Sequence, residues 1–271
     1  MLFRVTEWLA QGNHRVGFAA ILFALATLIG VAAFLQAARP SSAGVVDSSD
    51  ARNQAFARWW SGSAKDRQQL VTRRTGVCPD APFILPAEGY IGLLYGDPRS
   101  PYAEDHRHQG IDIFSLADAG QTSVIAAYGG YLTREAGWKS AVIMRVPDDP
   151  LHPGRQIWLY YTHMADSSGD TSYVNPVYPP DTREVFVEQG TLLGHTGSYS
   201  GNPFNPVGVH LHFSIVVDNG FGSYANELDF NNTIDPSRYL GIPVNVACAP
   251  VVPACDPDPL CDDAILSQAG S

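Results

Sequence analysis

His108-Gln109-Gly110-Ile111-Asp112 sets a histidine and a carboxylate four residues apart, with a glycine between them and apolar β-formers around them. Downstream, His210-Leu211-His212-Phe213 supplies two more imidazoles at period two. One metal held between these segments would use both. In a strand, residues four apart point the same way but lie about 13 Å apart, too far to share an ion. In a helix they would be neighbours, but Gly110 and the β-branched Ile111 and Ile113 disfavour a helix here. A bend at Gly110, using dihedrals that glycine tolerates, is the expected solution. His210 and His212, two apart on a strand, face one side at about 7 Å. One of them can bind a metal while the other faces a substrate, and spacing alone does not say which.

Two imidazoles and one carboxylate form a three-ligand set that leaves a position for water, and with zinc such a site lowers the pKa of that water to about 7. The same count suits a two-histidine, one-carboxylate iron oxygenase. That alternative requires neither a further imidazole nor His163, which ends the apolar run Trp158-Leu159-Tyr160-Tyr161-Thr162-His163. A histidine at a strand end can shuttle protons or stabilise oxyanion charge. His14, His106 and His152 stand alone and read as solvated or core residues, and His195 reads as a turn residue near the site that does not ligate.

The elements that must hold these residues are short strands and turns. Phe83–Pro86 and Gly89–Gly96 are apolar runs punctuated by glycine and proline. Ser123–Ala127, Gly130–Arg134, Ala141–Val146, Gln156–Tyr161, Glu184–Val187, Thr191–Gly194 and Val209–Val217 are strand candidates bounded by turn residues. Helical periodicity is missing after residue 80, so the domain is expected to be mainly antiparallel β. The polar segments 147–155 and 165–183 read as surface loops that wall a groove. With 25 glycines, 20 prolines and a net charge of −10, the chain suits a turn-rich β fold and lacks the basic face of a nucleic-acid binder.

Val16–Leu35 is free of charge and proline, and as a helix it would span about 30 Å, the thickness of a bilayer core. Arg4 and Arg15 precede it, which points to a single-pass anchor with the amino terminus in and the bulk of the chain extracytoplasmic. A cleaved signal peptide with Ser41-Ser42-Ala43 at the cleavage site is the alternative. Between Asp50 and Arg74 the pattern allows one or two helices, with Asp50 as N-cap, and leaves open whether Trp59 and Trp60 pack on the domain or meet the lipid. The four cysteines form no Cys-x-x-Cys pair; the expected disulfides are a local Cys255–Cys261 clip and a long-range Cys78–Cys248 staple.

Together these motifs resemble the M23 family of zinc endopeptidases, the lysostaphin/LytM type. The resemblance rests on His108-x-Gly110-Ile111-Asp112, on Tyr161-Thr162-His163-Met164 against the family's Y-A-H-L, and on His210-Leu211-His212-Phe213 against its H-L-H-F. Gly96-Asp97-Pro98-Arg99, Leu193-Gly194-His195-Thr196-Gly197-Ser198 and Asp235-Pro236-Ser237-Arg238-Tyr239-Leu240 resemble further family segments in the same order. The resemblance implies a twisted antiparallel sheet with a groove and one zinc ion held by His108, Asp112 and His212. It also implies His163 and His210 as catalytic histidines and a peptide of the peptidoglycan stem or cross-bridge as substrate. The family's short link before H-L-H is replaced here by Tyr199–Val209, YSGNPFNPVGV. The implied organisation is a cytoplasmic 1–15, a transmembrane anchor at 16–38, and a partly helical linker at 39–76. A peptidase domain at 77–245 and a cysteine-containing tail at 246–271 complete it. A non-catalytic relative that activates cell-wall amidases is the rival function. Oligomeric state stays open.

Overall fold

The computed structural model describes residues 48–74, 76–99 and 106–261. The expected anchor at Val16–Leu35 lies outside them, and no helix among the described residues is long and apolar enough to cross a membrane. Helices α1 (Ser48–Ser61) and α2 (Ala64–Gln68) come first, followed by strands β1 (Tyr90–Leu93), β2 (Ile111–Phe114), β3 (Ser123–Ile125), β4 (Gly130–Arg134), β5 (Val142–Val146), β6 (Ile157–Thr162), β7 (Thr182–Val187), β8 (Leu192–His195), β9 (His210–Val217) and β10 (Thr233–Ile234). A short α3 (Ser237–Leu240) closes the set.

All of these strands pair antiparallel. The main sheet runs β1-β2-β9-β6-β5-β4-β7, with β10 also against β9, while β3 and β8 form a separate pair. Period-two alternation sorts the main sheet into two faces. Leu211, Phe213 and Ile215 of β9 face the core with Ile111 and Ile113 of β2 and Leu159 and Tyr161 of β6, all buried. The β3–β8 pair contributes Val124 and Leu193 to that same core. The opposite face carries His210 and His212, with Asp112 across from His212 on β2 and Thr162 across from it on β6.

Helix α1 covers one end of the sheet. Ala55 and Trp59 are buried with Leu70, Tyr90, Leu93 and Phe114 in a second cluster, and the Trp59 and Tyr90 rings lie 5.3 Å apart. Trp60 contacts the Phe114 ring edge-on at 5.4 Å, so both tryptophans pack on the domain. The expected cap is displaced: Asp50 lies in the first turn of α1, and it is α2 that carries a capping box, between Ser63 and Asp66.

Several expectations are corrected. Phe83–Pro86 forms no strand; it stays extended, with Phe83 donating to Tyr239 and Ile84 to Ala127, so it crosses the core as a brace. The disulfides are Cys78–Cys255 and Cys248–Cys261. The Asp256 amide donates to the Gly241 carbonyl at 2.9 Å, and Gly241 lies against Cys78, so Cys255 is delivered to Cys78 and not to Cys261. Residues 246–261 run along the domain instead: Ala249 is buried in the core, and its carbonyl accepts from Arg52 of α1 at 2.8 Å. The 147–155 loop does not wall the groove. It packs at α3, where buried Asp149 accepts from Arg155 and from the Tyr239 hydroxyl at 2.8 Å.

Burial alone would raise the Asp149 carboxyl, but the Leu151 amide, Tyr239 and Arg155 outweigh it and hold it below its ordinary value. Stabilisation from a depressed carboxyl is complete above the ordinary value of about 3.9 and fades as pH falls through the folded value. Asp149→Ala is therefore expected to cost about 2–3 kcal/mol at pH 7, the scale of lost charge-assisted hydrogen bonds, and clearly less near pH 3. Urea melts at the two pH values check this.

Candidate metal centre and flanking histidines

His108 precedes β2 in an extended segment that pairs with the turn before it: its amide donates to Asp97 at 3.0 Å and its carbonyl accepts from Gly96 at 2.8 Å. Two residues on, the chain passes tightly over β9. Gly110 does not take a positive φ; its lack of a side chain matters because a Cβ would collide with the Phe213 carbonyl. The expected bend is thus a close crossing of two backbones. It brings His108 over the sheet face to which Asp112 already points.

Three acceptor atoms converge there. His108 Nε2 lies 3.1 Å from Asp112 Oδ1 and 3.2 Å from His212 Nδ1, and His212 Nδ1 lies 2.9 Å from Asp112 Oδ1. The outward nitrogens have their own partners: His108 Nδ1 faces the Leu94 carbonyl at 3.1 Å, and His212 Nε2 faces Glu227 Oε1 at 2.8 Å. A neutral ring that donates outward has no proton left on its inward nitrogen. Two imidazole lone pairs and a carboxylate oxygen then point at one another, an arrangement that calls for a cation between them. Tetrahedral zinc with ligands at about 2.0–2.1 Å separates its donors by about 3.3 Å, so these three residues fit the ion. His108, Asp112 and His212 are the group of possible ligands found among the described residues.

Charge follows the same geometry. Burial opposes the charged His212 ring, but Glu227 and Asp112 outweigh it and push the ring up to about 10. Burial likewise opposes ionised Asp112, yet the His108 and His210 rings hold it well below the usual carboxylate range. Burial opposes the charge of half-buried Glu227 too, but the His212 ring beside it holds its carboxyl below the ordinary value. Without a metal, a proton on His212 supplies the positive charge that the site demands.

The two remaining histidines flank this centre. His210 Nε2 lies 3.5 Å from Asp112 Oδ2, and its Nδ1 faces the Gly208 carbonyl at 2.6 Å. His163 ends β6 with a φ of 72°, a left-handed backbone that is costly for a side-chain-bearing residue. Its Nδ1 faces the Tyr199 carbonyl at 2.6 Å, and its ring centre lies 4.4 Å from that of His210. Burial lowers both rings; His163, further disfavoured by the neighbouring His210, falls to about 3. Both are therefore neutral near pH 7, each with Nδ1–H donating outward and Nε2 free to accept.

All five residues singled out in the sequence come together. His195 does not join them: it ends β8, paired with Ser123, and is not in a turn. His152 is exposed, and His14 lies outside the described residues. Glu227 and the Tyr199 and Gly208 carbonyls carry no sequence signature. Glu227 sits in Tyr224-Ala225-Asn226-Glu227-Leu228 without a motif, and only the return of this loop over β9 reveals it. The site opens into a groove of about 460 Å³ lined by Trp138, Lys139, Tyr160, Tyr199 and Leu228 among others. The 165–183 loop, expected as a wall, supports the groove from behind: Arg134 bridges the Lys139 carbonyl to Ser172 and the Tyr178 carbonyl.

The sequence matches no protein-family model and no curated protein. Solved structures are similar to it. Lysostaphin from Staphylococcus simulans is 21% identical over 55% of this chain, with a TM-score of 0.35. The chain spans about half that structure, 48% of its length. The catalytic domain of the prophage-encoded M23 protein EnpA from Enterococcus faecalis is 21% identical, with 49% of this chain and 84% of that one covered and a TM-score of 0.32. A candidate glycyl-glycine endopeptidase, LytM from Ruminococcus gnavus, is 17% identical, with 76% and 77% covered and a TM-score of 0.35. The chain resembles M23-type peptidases.

Because His212 holds a proton up to about pH 10, a cation arriving at Nδ1 must expel it. Zinc binding at pH 7 is expected to release about one proton per ion, and affinity to fall as pH falls. Titration calorimetry in buffers of different ionisation enthalpy measures both. Glu227→Gln keeps the shape but removes the charge behind His212, and is expected to weaken zinc binding about 10–100-fold in a competition assay.

Proposed function

We propose that this chain is a zinc metalloendopeptidase of the M23 type that hydrolyses peptide bonds in peptidoglycan stems or cross-bridges. The observation that carries this is the convergence of His108 Nε2, Asp112 Oδ1 and His212 Nδ1 beside two further histidines, buried His210 and half-buried His163, whose Nδ1 atoms each face a backbone carbonyl. A structural zinc site is normally closed by four protein ligands; three ligands facing a groove suit catalysis. The bound metal would supply a Lewis acid that lowers the pKa of an attacking water to about 7. One zinc ion per chain is proposed, held by His108, Asp112 and His212.

The chain's own residues supply the proton handling. His163 and His210 both start neutral, so either Nε2 can take a proton from the attacking water as the new bond forms. Their ring centres are 4.4 Å apart, and charge on one opposes charge on the other, so the pair holds one proton at a time. The ring that takes the proton becomes an imidazolium. It can then donate to the developing oxyanion or to the departing amine, which leaves with that proton. Trp138 and Tyr160, with ring centres 5.8 Å apart, give the groove an apolar floor on which an extended peptide can lie. Val16–Leu35 is proposed as a single-pass anchor that keeps the domain extracytoplasmic and close to the wall. Two disulfides support that placement, since they persist in oxidising compartments.

Purified protein incubated with peptidoglycan is expected to release new amino termini in a chelator-sensitive way. His210→Ala and His163→Ala are expected to keep zinc but lose at least about 100-fold in turnover, the usual scale of general acid–base catalysis. His108→Ala is expected to lose the metal. Full turnover without bound zinc would refute the assignment, and absence of cleavage on every wall type would favour a wall-binding, amidase-activating role instead.

A further inference from the structure

We propose that Trp60, on the helix that precedes the catalytic sheet, is a positioning residue for His210; this rests on the peptidase reading above. Besides Phe56 of its own helix, whose ring lies 6.1 Å away, Trp60 meets two groups that support the His210 ring. The first is Phe114, whose ring meets that of Trp60 edge-on at 5.4 Å and lies against that of His210 at 5.0 Å. The second is Gly208, whose carbonyl accepts from His210 Nδ1 at 2.6 Å. Gly208 lies so close under the indole that a Cβ there would collide with the far end of its six-membered ring. Trp60 is thus pressed against both supports of the imidazole without touching the imidazole itself.

Stability does not account for this contact. Trp59 anchors α1, being 4% exposed and buried with Ala55, Leu70 and Tyr90, whereas Trp60 is 53% exposed. The indole of Trp60 meets Phe56 edge-on within its own helix and, beyond it, Phe114 and Gly208. Gly208 also ends the segment 199–209, which presents both carbonyls that fix the catalytic imidazoles, Tyr199 to His163 and Gly208 to His210. Gly201 to Pro206 are exposed, with Phe204 94% exposed. At the end of the segment Val207 donates to Ser198 and Val209 accepts from Ser115, so Gly208 sits between two anchored residues and its own carbonyl is the free variable. Trp60 clamps its carboxyl-terminal end. Removing the clamp lets the Gly208 carbonyl drift and the His210 ring turn, and a displacement of about 1 Å at a catalytic group can cost on the order of 100-fold.

The test compares the full-length chain with Trp60→Ala, Trp60→Phe and Trp59→Ala. In Trp60→Ala, kcat on purified peptidoglycan is expected to fall about 10–100-fold, with KM within twofold, zinc content unchanged and the melting temperature close to the parent. Trp60→Phe, which keeps a ring against Phe114 but is too short to reach Gly208, is expected to recover only part of the loss. Independently of activity, the His210 Nδ1–H proton in ¹⁵N-edited NMR spectra is expected to broaden or exchange fast in Trp60→Ala, while that of His163 persists on the Tyr199 carbonyl. An unchanged His210 N–H signal would overturn the proposal. So would zinc loss or a melting shift as large as that of Trp59→Ala, since either would make Trp60 part of the general scaffold. If the parent cleaves no peptidoglycan, the peptidase reading fails, whereas the His210 signal still decides the role of Trp60.

Discussion

Everything at the site depends on the register of β2 against β9, which sets Asp112 opposite His212 and Phe114 opposite His210. Strand side chains alternate, so a slip of one residue would send Asp112 into the core and bring Ile111 or Ile113 to the groove. The buried isoleucines on one face and the buried polar groups on the other penalise that slip twice. Gly110 enforces the same register by letting the incoming chain pass against the Phe213 carbonyl. With β2 locked, His108 has one place to go, and the third ligand meets the other two.

Around this pairing the protein assembles groups from parts of the chain far apart in sequence. His163 comes from the end of β6 in a backbone conformation with a positive φ, a strain that turns its ring toward His210. Glu227 comes from the loop after β9 and keeps His212 in the tautomer that offers Nδ1 inward. The segment 199–209 lines the groove with Tyr199 and offers two carbonyl oxygens, and these determine which nitrogen of His163 and of His210 is free. Helix α1 and the tail, outside the residues that carry the family motifs, are packed into the same body: α1 rests on Phe114, and the tail is tied back through Cys78–Cys255. Neighbouring positions divide the labour, Trp59 buried for stability and Trp60 leaning on Gly208.

Much of this was legible in the chain. Histidine and aspartate motifs flanked by β-branched residues named the five residues that come together, because ligand types and strand patterning are local properties. The alternation in His210-Leu211-His212-Phe213 foretold a strand with one functional and one core face. Legibility ended where partners lie far apart in sequence. Nearness in sequence favours Cys255–Cys261, whereas the pairing is decided by the Asp256 amide bonding to the Gly241 carbonyl, which sets Cys255 beside Cys78. Gly110 was expected to bend by its dihedrals, and it proves necessary for the clearance it gives a neighbouring strand. The loop 147–155 looked like a groove wall because it is polar, yet Asp149 is buried against Tyr239 on the far side of the sheet.

The sequence by itself determined the chemistry on offer: a carboxylate and four imidazoles, two of them on one strand face, in a β-rich domain with strongly apolar core positions. Tertiary structure alone decided which nitrogen does what. His210 and His212 share a strand and a face, and spacing could not separate them. His212 lies opposite Asp112 with Glu227 behind it, so its Nδ1 points at the metal position. His210 has the Gly208 carbonyl behind its Nδ1, so its Nε2 faces Asp112, 3.5 Å from Oδ2, at the edge of the centre. A ring's role follows from the hydrogen bond on its other nitrogen, and both of those partners are brought by loops whose positions no local pattern encodes.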